Sequence, residues 1–454
     1  MGGQNQVWII TELVHLIFNE KSKAAKKGAI MSGTTFGIIS VLVFGAVDSA
    51  PSARRALVMM MASQIQAVRE GDLRSKNSAI TSDKSSFTLP FETVDNRVFI
   101  EVRLNGQGPF HFILDTGAGG LVISTDVAQQ LKLKIADSTE GQGVGEKTVR
   151  EGNTQIAQIR IGDLQLTDLE CHVLDMSDAP QVFGTKRLDG IIGLPVFEHM
   201  VVKHDYVNRL LTFSSPDKFN YTGNGIIVHF ERPQQIPLVE AALDGVPGSF
   251  GVDTGARSSL LLYGPFCQQH KLQEKYDARL EGVTGWGIGG PVRSLLARAG
   301  ELRIGDVIVR DLVVRLSTQK TGLTTSSGKA GLIGPDVLSQ FNVVFDYIRS
   351  RIIFEKNANY GRRDSYDRAG VWMGQDAVGK HFTVVDVIAS GPAAAAGVRT
   401  GDRILAINGN TTENLVLPDV REMLRRQPVG DKLTLLLESG GKQRTAVITL
   451  RDLV

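Results

Sequence analysis

The chain has 454 residues, more than one hydrophobic core usually serves, so two or three domains are expected. Its 42% hydrophobic and 22% charged residues and 49 glycines are ordinary for a globular, loop-rich protein. Fifty basic against 48 acidic residues leave a net charge of +2, which gives no sign of a nucleic-acid partner, and two cysteines cannot build a disulfide scaffold.

At the N-terminus, Lys21, Lys23, Lys26 and Lys27 precede an apolar stretch over 32–47, and small residues follow. Basic, apolar, then small is the order of a secretory signal. The stretch is short for a membrane span, and Asp48 and Pro51 make a poor cleavage site. Residues 1–53 are therefore expected to be a signal peptide or a retained membrane anchor, which places the rest outside the cytoplasm, periplasmic or secreted. Residues 54–87 are expected to form a helix and a polar linker.

From residue 88 the pattern changes to short strands with Gly-rich turns, and "RVFIEVRLNG" and "LVEAALDG" end in Asn-Gly and Asp-Gly hairpin signals. Those two hairpins belong to an internal repeat. "LNGQGPFHFILDTGAGG" (104–120) corresponds to "LDGVPGSFGVDTGARSS" (243–259), and "DGIIGLPVFEHMVVKHDY" (189–206) to "AGLIGPDVLSQFNVVFDY" (330–347). The order is kept, at an offset of 138 to 143 residues. Two copies do not make a solenoid; they suit an internal pseudo-dimer, here 88–222 and 223–356, in a monomeric chain.

A single Asp-Thr-Gly reads equally well as an Asx-type turn at a strand end. Here it follows a buried-looking strand at equivalent places in both halves, at Asp115 and Asp253. A pseudo-two-fold axis near both turns brings these carboxylates together, where they must share one proton. Such a pair can take a proton from an attacking water and give one to an amide oxygen.

The two halves resemble aspartic proteases of the retropepsin-like group, joined in one chain. "ILDTGA" and "GVDTGA" carry the resemblance, with "DGIIG" (189–193) and "AGLIG" (330–334) as the second signature. It implies a mostly β fold of two acid-protease barrel lobes. Thr116 and Thr254 would hydrogen-bond across the two-fold, and Gly117 and Gly255 would admit backbone amides to the carboxylates. Flaps would be "EGQGVGEKTV" (140–149), with Gly141, Gly143 and Gly145, and "EGVTGWGIGGPV" (281–292), with Trp286 and Gly287. Trp286, among glycines, is expected to ride a flap tip over substrate. "GWGIGG" matches a dinucleotide-binding pattern, but Pro291 follows it and no buried strand precedes it. Arg257 stands where the first half has Gly119, and is expected to favour acidic or polar substrate side chains on one side of the cleft. Ala118 and Ala256 stand where acid-adapted relatives carry a hydroxyl, which implies a mildly acidic to near-neutral optimum.

Residues 357–369 read as a charged linker, and 370–454 resemble a bacterial, protease-associated PDZ domain through "FTVVDVIASGPAAAAGVRTGDRILAINGNTT" (382–412). "LPDVREMLRRQ" (417–427) has helical periodicity, with Val420, Met423 and Leu424 on one side. The resemblance places a peptide-binding nest near Gly370, Val371, Trp372 and Met373 and makes protein C-termini a candidate partner. Removal of 362–454 is expected to spare hydrolysis of short peptides.

No CxxC or HExxH occurs, so no metal and no organic cofactor is expected. The sequence thus points to an exported aspartic endopeptidase acting on polypeptides, with PDZ-assisted recognition. The alternative is a non-catalytic peptide-binding receptor using the same cleft and groove.

Overall fold

The computed structural model describes residues 80–454 except 83, 185, 186, 233–235 and 377. The signal or anchor segment and most of the helix and linker after it lie outside the described residues. Among the described residues, no helix is long and apolar enough to cross a membrane.

The chain is mostly β, with two barrel-like lobes and a PDZ domain. Each lobe is organised around the strand that delivers its Asp-Thr-Gly loop. In lobe 1 this is Gln107–Leu114, reached through a tight turn in which Asn105 and Gly106 both take positive φ. In lobe 2 it is Val246–Val252, after the equivalent Asp244-Gly245 turn. Both turns have the backbone signs of a type I′ hairpin.

Each delivering strand pairs in parallel with its lobe's Gly-hydrophobic-hydrophobic strand, Ile113 opposite Ile191 and Gly251 opposite Leu332. Gly251 leaves no hole, because a Cβ there would already meet the side chains of Leu332, Ile236 and Leu238.

A six-stranded antiparallel sheet fastens the lobes. Its order is Ile226–His229, Arg351–Lys356, Phe341–Asp346, Val201–Asp205, Leu210–Ser214, Ser86–Pro90. The two central strands are repeat equivalents and pair with each other, Val202 opposite Phe345. The pseudo-two-fold expected from the repeat therefore runs through this sheet. One core cluster spans both lobes, including Phe112, Phe197, Phe213, Phe250, Phe345 and Tyr347.

The PDZ domain has its own core, including Phe382, Ile404, Leu424, Leu435 and Ile448. Helix Leu417–Arg426 buries Val420 and Leu424, as the periodicity expects, leaves Met423 partly buried, and also buries Leu417 and Arg421. The stretch 357–369 is packed rather than loose. Asp364 and Tyr366 are buried, and Tyr366 clusters with Leu296 and Val313 of lobe 2 and Ile388 of the PDZ domain.

The PDZ domain is thus wedged against both lobes, contrary to a domain that can be removed without consequence. Arg421 pairs with Asp95 of lobe 1, and Arg425 with Asp336 of lobe 2 and Asp364 of the strap. Stripping one partner from a buried ion pair typically costs about 3–5 kcal/mol. Removal of 362–454 strips Arg425 from Asp336 and Arg421 from Asp95, which keeps Arg97 and Arg257. The truncated chain is expected to lose hydrolysis of short peptides together with cooperative unfolding near the full chain's Tm, as differential scanning fluorimetry with a peptide assay would show.

Candidate active site

The loops after the delivering strands meet at the pseudo-two-fold. Thr116 Oγ1 donates to the Val252 carbonyl (2.7 Å) and Thr254 Oγ1 to the Leu114 carbonyl (2.9 Å). Each hydroxyl also accepts the other threonine's backbone N–H, both at 3.0 Å. Both threonines are buried, so these bonds form away from competing water. The lock holds the carboxylates of Asp115 and Asp253 in hydrogen-bonding contact.

Backbone amides complete the pair. Asp115 Oδ1 accepts from Gly117 N (2.7 Å) and Gly255 N (3.1 Å), and Asp253 Oδ1 from Gly255 N (2.8 Å) and Ala256 N (2.9 Å). A Cβ on Gly255 would lie 2.3 Å from Asp115 Cγ, and one on Gly117 2.8 Å from Asp253 Cγ, so only glycine fits either position.

Burial pushes both carboxyls up from the ordinary range, against the pull of these amides. For Asp115 the Asp253 charge adds to burial and holds it well above that range. Asp253 is drawn back by a hydrogen bond from Asp115 and by the Arg97 guanidinium. The pair therefore shares one proton and one charge.

Both expected flaps are hairpins. Lobe 1 contributes Ala136–Gly141 and Val149–Ile161, and lobe 2 contributes Leu280–Gly287 and Gly290–Ile304. Their tips meet, with Gly145 N donating to the Ile288 carbonyl (2.9 Å) and Lys147 N to the Gly289 carbonyl (3.0 Å). A Cβ on Gly143 or Gly145 would strike the opposite tip's backbone, at 2.4 and 2.2 Å. Gly141 faces the Glu151 side chain, and Gly287 faces Val144 across the tips.

Each flap reaches the other lobe's apolar wall. Val144 packs on Leu261, Tyr263, Val292 and Leu332 of lobe 2. Trp286 packs on a lobe 1 cluster that includes Phe99, Ile113, Phe183 and Leu188. This corrects one expectation: Trp286 lies in strand Leu280–Gly287 beside Pro291, not at the tip, and it has apolar neighbours.

Arg257 is placed differently too. Its Nε donates to Asp95 Oδ1 (2.7 Å), and its guanidinium lies 4.8 Å from the centre of the Trp372 ring. With its charge spent on a buried carboxylate and its face on an indole, it does not reach for a substrate side chain.

The PDZ residues are engaged as well. The Asp367 carboxylate fills the nest, accepting from the backbone N–H groups of Ala369 (2.7 Å), Gly370 (3.3 Å) and Val371 (3.0 Å). The guanidiniums of Arg257 and Arg421 both lie against the Trp372 ring, and the Met373 carbonyl accepts from Arg421 Nη2 (2.6 Å). The short lobe 1 helix Ala179–Phe183 lies beside strand Val371–Gln375. There a Cβ on Gly374 would meet the Gln181 carbonyl at 3.2 Å. Trp372 and Gly374 thus meet the protease lobes, and the Gly370 and Val371 amides are taken by Asp367, so the expected nest is not an open groove.

Sequence reasoning missed Asp95 and Arg97. Asp95 and Asn96 make a hairpin turn with φ of 47° and 72° and no glycine, which asparagine and aspartate tolerate. Burial alone would raise the Asp95 carboxyl, but Arg257, Arg421 and Arg97 together bring it down to about 2.

Among the described residues no cluster of His, Cys, Asp or Glu could hold a metal ion. Cys171 and Cys267 are free and buried, the latter's thiol pushed up to about 12 by burial.

Residues 100–196 match the family model for aspartyl proteases, and 383–439 match that for the PDZ domain. Among solved structures, the aspartic proteinase from Irpex lacteus is similar over 60% of this chain and 98% of its own, at 12% identity and a TM-score of 0.41. No curated protein matches the sequence. The chain carries an aspartyl protease domain and a PDZ domain, and these matches support a protease function.

The raised carboxyls also set a pH dependence of stability. A buried acid that binds its proton more tightly when folded favours folding below the unfolded carboxyl pKa of about 3.9, and loses that contribution as pH rises through its folded value. Asp115→Asn removes this loss. The variant is expected to melt above the unmodified protein at pH 7 by a few degrees, with the difference shrinking toward pH 4. Calorimetry at several pH values checks the trend, and equal melting throughout would show that the pair carries no buried charge.

Proposed function

We propose that the chain is an aspartic-type endopeptidase cleaving extended polypeptides with a water held between Asp115 and Asp253. The observation that supports this most is the contact of the two carboxyls on loops cross-bonded by Thr116 and Thr254. With the charge on Asp253, that carboxylate takes a proton as the water oxygen bonds to the peptide carbonyl carbon. Asp115 gives its proton to the carbonyl oxygen, leaving a neutral tetrahedral diol. Return of the proton from Asp253 to the amide nitrogen, with a diol proton passing to Asp115, breaks the C–N bond and resets the pair. No metal or organic cofactor takes part in these steps.

Substrate would lie beneath the crossed flaps with side chains toward the apolar walls of both lobes. Apolar residues flanking the cut bond fit the Phe99, Ile113 and Leu188 wall on one side and Leu261 and Leu332 on the other. Recognition of protein C-termini by the PDZ domain would require Asp367 to leave the nest and the Ala179–Phe183 helix to move aside. Export rests on the N-terminal sequence pattern.

Incubation with a diverse peptide pool, with and without a pepstatin-type inhibitor, tests the assignment. Asp115→Asn and Asp253→Asn should each abolish cleavage while the protein stays folded. Peptides bound but left uncut by the unmodified protein would make it a receptor. The pH-rate profile should be bell-shaped, its limbs belonging to the pair. Ala118→Ser or Ala256→Ser should move the acid limb to lower pH, because an added hydroxyl stabilises the charged form. An optimum at alkaline pH would count against this pair.

A further inference from the structure

Asp95 is buried in the hairpin between Glu92–Val94 and Arg97–Leu104, and three guanidiniums from three parts of the chain converge on it. Arg97 of the same hairpin donates to Oδ2 (2.8 Å); Arg257, next to the second catalytic loop, donates to Oδ1 (2.7 Å); Arg421 of the PDZ helix also donates to Oδ1 (3.0 Å).

Arg97 touches more than Asp95. Its Nε donates to the Gly255 carbonyl (2.8 Å), and the N–H in that same peptide plane, that of Ala256, bonds Asp253 Oδ1 (2.9 Å). Its Nη2 donates to the Trp286 carbonyl in flap 2 (3.2 Å), and its guanidinium lies 4.4 Å from the centre of the Phe183 ring. Its Nη1 also donates to the Asp95 carbonyl (3.2 Å), so four of the five N–H groups of this fork have a partner in or beside the site.

We propose that Arg421 is a positioning residue for proteolysis, supplied by the PDZ domain, acting through Asp95 and Arg97 on the Gly255–Ala256 peptide, whose Ala256 N–H bonds Asp253. The inference rests on the endopeptidase reading of that dyad. With Arg421 in place, Asp95 is held from both sides, by the PDZ helix on Oδ1 and by Arg97 on Oδ2. Arg97 then has one rotamer, and its Nε fixes the Gly255 carbonyl and so the plane of the peptide. Arg421 is itself fixed by its bond to the Met373 carbonyl and by the Trp372 ring, 4.7 Å from its guanidinium carbon. Without Arg421, the Oδ1 side of Asp95 keeps only Arg257, and the carboxylate can turn and draw Arg97 with it. Asp253 then loses a fixed donor, the Ala256 N–H.

Two other buried charges lie at the same junction and bear on the choice of test. Asp336 accepts from Asn96 Nδ2 (2.8 Å) and from Arg425 (3.1 Å), while Arg425 also reaches Asp364 (3.2 Å). This second group docks the PDZ domain without touching Arg97 or Gly255. It serves as the control for docking alone.

The experiment uses the full chain and a short peptide confined to the cleft, with kcat and KM measured separately and thermal unfolding recorded for each variant. Arg421→Met should lower kcat about 10- to 100-fold, the scale expected when a donor shifts by about an ångström, with KM within about twofold. Arg97→Met should lower kcat at least as far, and the double variant no further than Arg97→Met alone. Arg421→Lys, which keeps charge but not the fork, should recover part of kcat. Arg425→Met should lower the unfolding midpoint while leaving kcat nearly unchanged. An unchanged kcat in Arg421→Met, multiplying losses in the double variant, or equal kcat loss in Arg425→Met would overturn the proposal. If Arg421→Met does not fold, the same cycle built from Arg421→Lys and Arg97→Lys decides it, with multiplying losses again counting against. A protein that cuts no peptide even unmodified would instead remove the endopeptidase reading beneath it.

Discussion

Two carboxyl groups that share one proton repel each other as soon as that proton leaves, and burial strengthens the repulsion. Something must hold them together, and here it is the reciprocal bonding of Thr116 and Thr254. Those hydroxyls reach the opposite lobe's carbonyls only because the six-stranded sheet fixes the lobes in register. The amides reach the carboxylates only because Gly117 and Gly255 carry no Cβ. Duplication, interlobe sheet, threonines and glycines serve one constraint, the contact of Asp115 with Asp253.

The parts of this arrangement written in local chemistry were legible in the sequence. Asn-Gly and Asp-Gly turns announce hairpins because few residue pairs accept two positive φ values in a row. The repeat announces the pseudo-two-fold, and the buried strands before each Asp-Thr-Gly announce where the loops emerge. The helical face of 417–427 was readable from Val420 and Leu424, whose apolar side chains must point inward.

What stayed hidden was long-range and charged. Arg421 lies 326 residues from Asp95, and nothing in its own segment distinguishes it from Arg425 or Arg426, which are also arginines on the same helix. An arginine's long stem can follow either an apolar or a polar surface, so its spacing does not reveal its direction. Arg257 was placed in the cleft by its neighbourhood in sequence, whereas a buried carboxylate from another lobe claims it. Trp286 looked unsupported among glycines because its neighbours, Phe99 and Phe183, belong to the other lobe. The Asp95-Asn96 turn escaped notice because it manages two positive φ values without glycine.

The same cluster shows what a single chain gains over a pair of identical ones. In the repeat, Arg97 corresponds to Ile236, which instead fills the space beside Gly251. Among the described residues, lobe 1 therefore sends a guanidinium to the Asp253 loop, and no lobe 2 guanidinium bonds the Asp115 loop. The Arg97 charge favours the ionised form of Asp253, while burial pushes both carboxyls up. In two identical copies the carboxyls would be equivalent, and either could hold the proton. Here divergence after duplication gives the two carboxyls different surroundings. An excess of positive charge so deep in the protein would be unfavourable alone. Asp95, Asp336, Asp364 and the dyad's own anion balance it, and the PDZ helix, through Arg421 and Arg425, is what closes that set of charges.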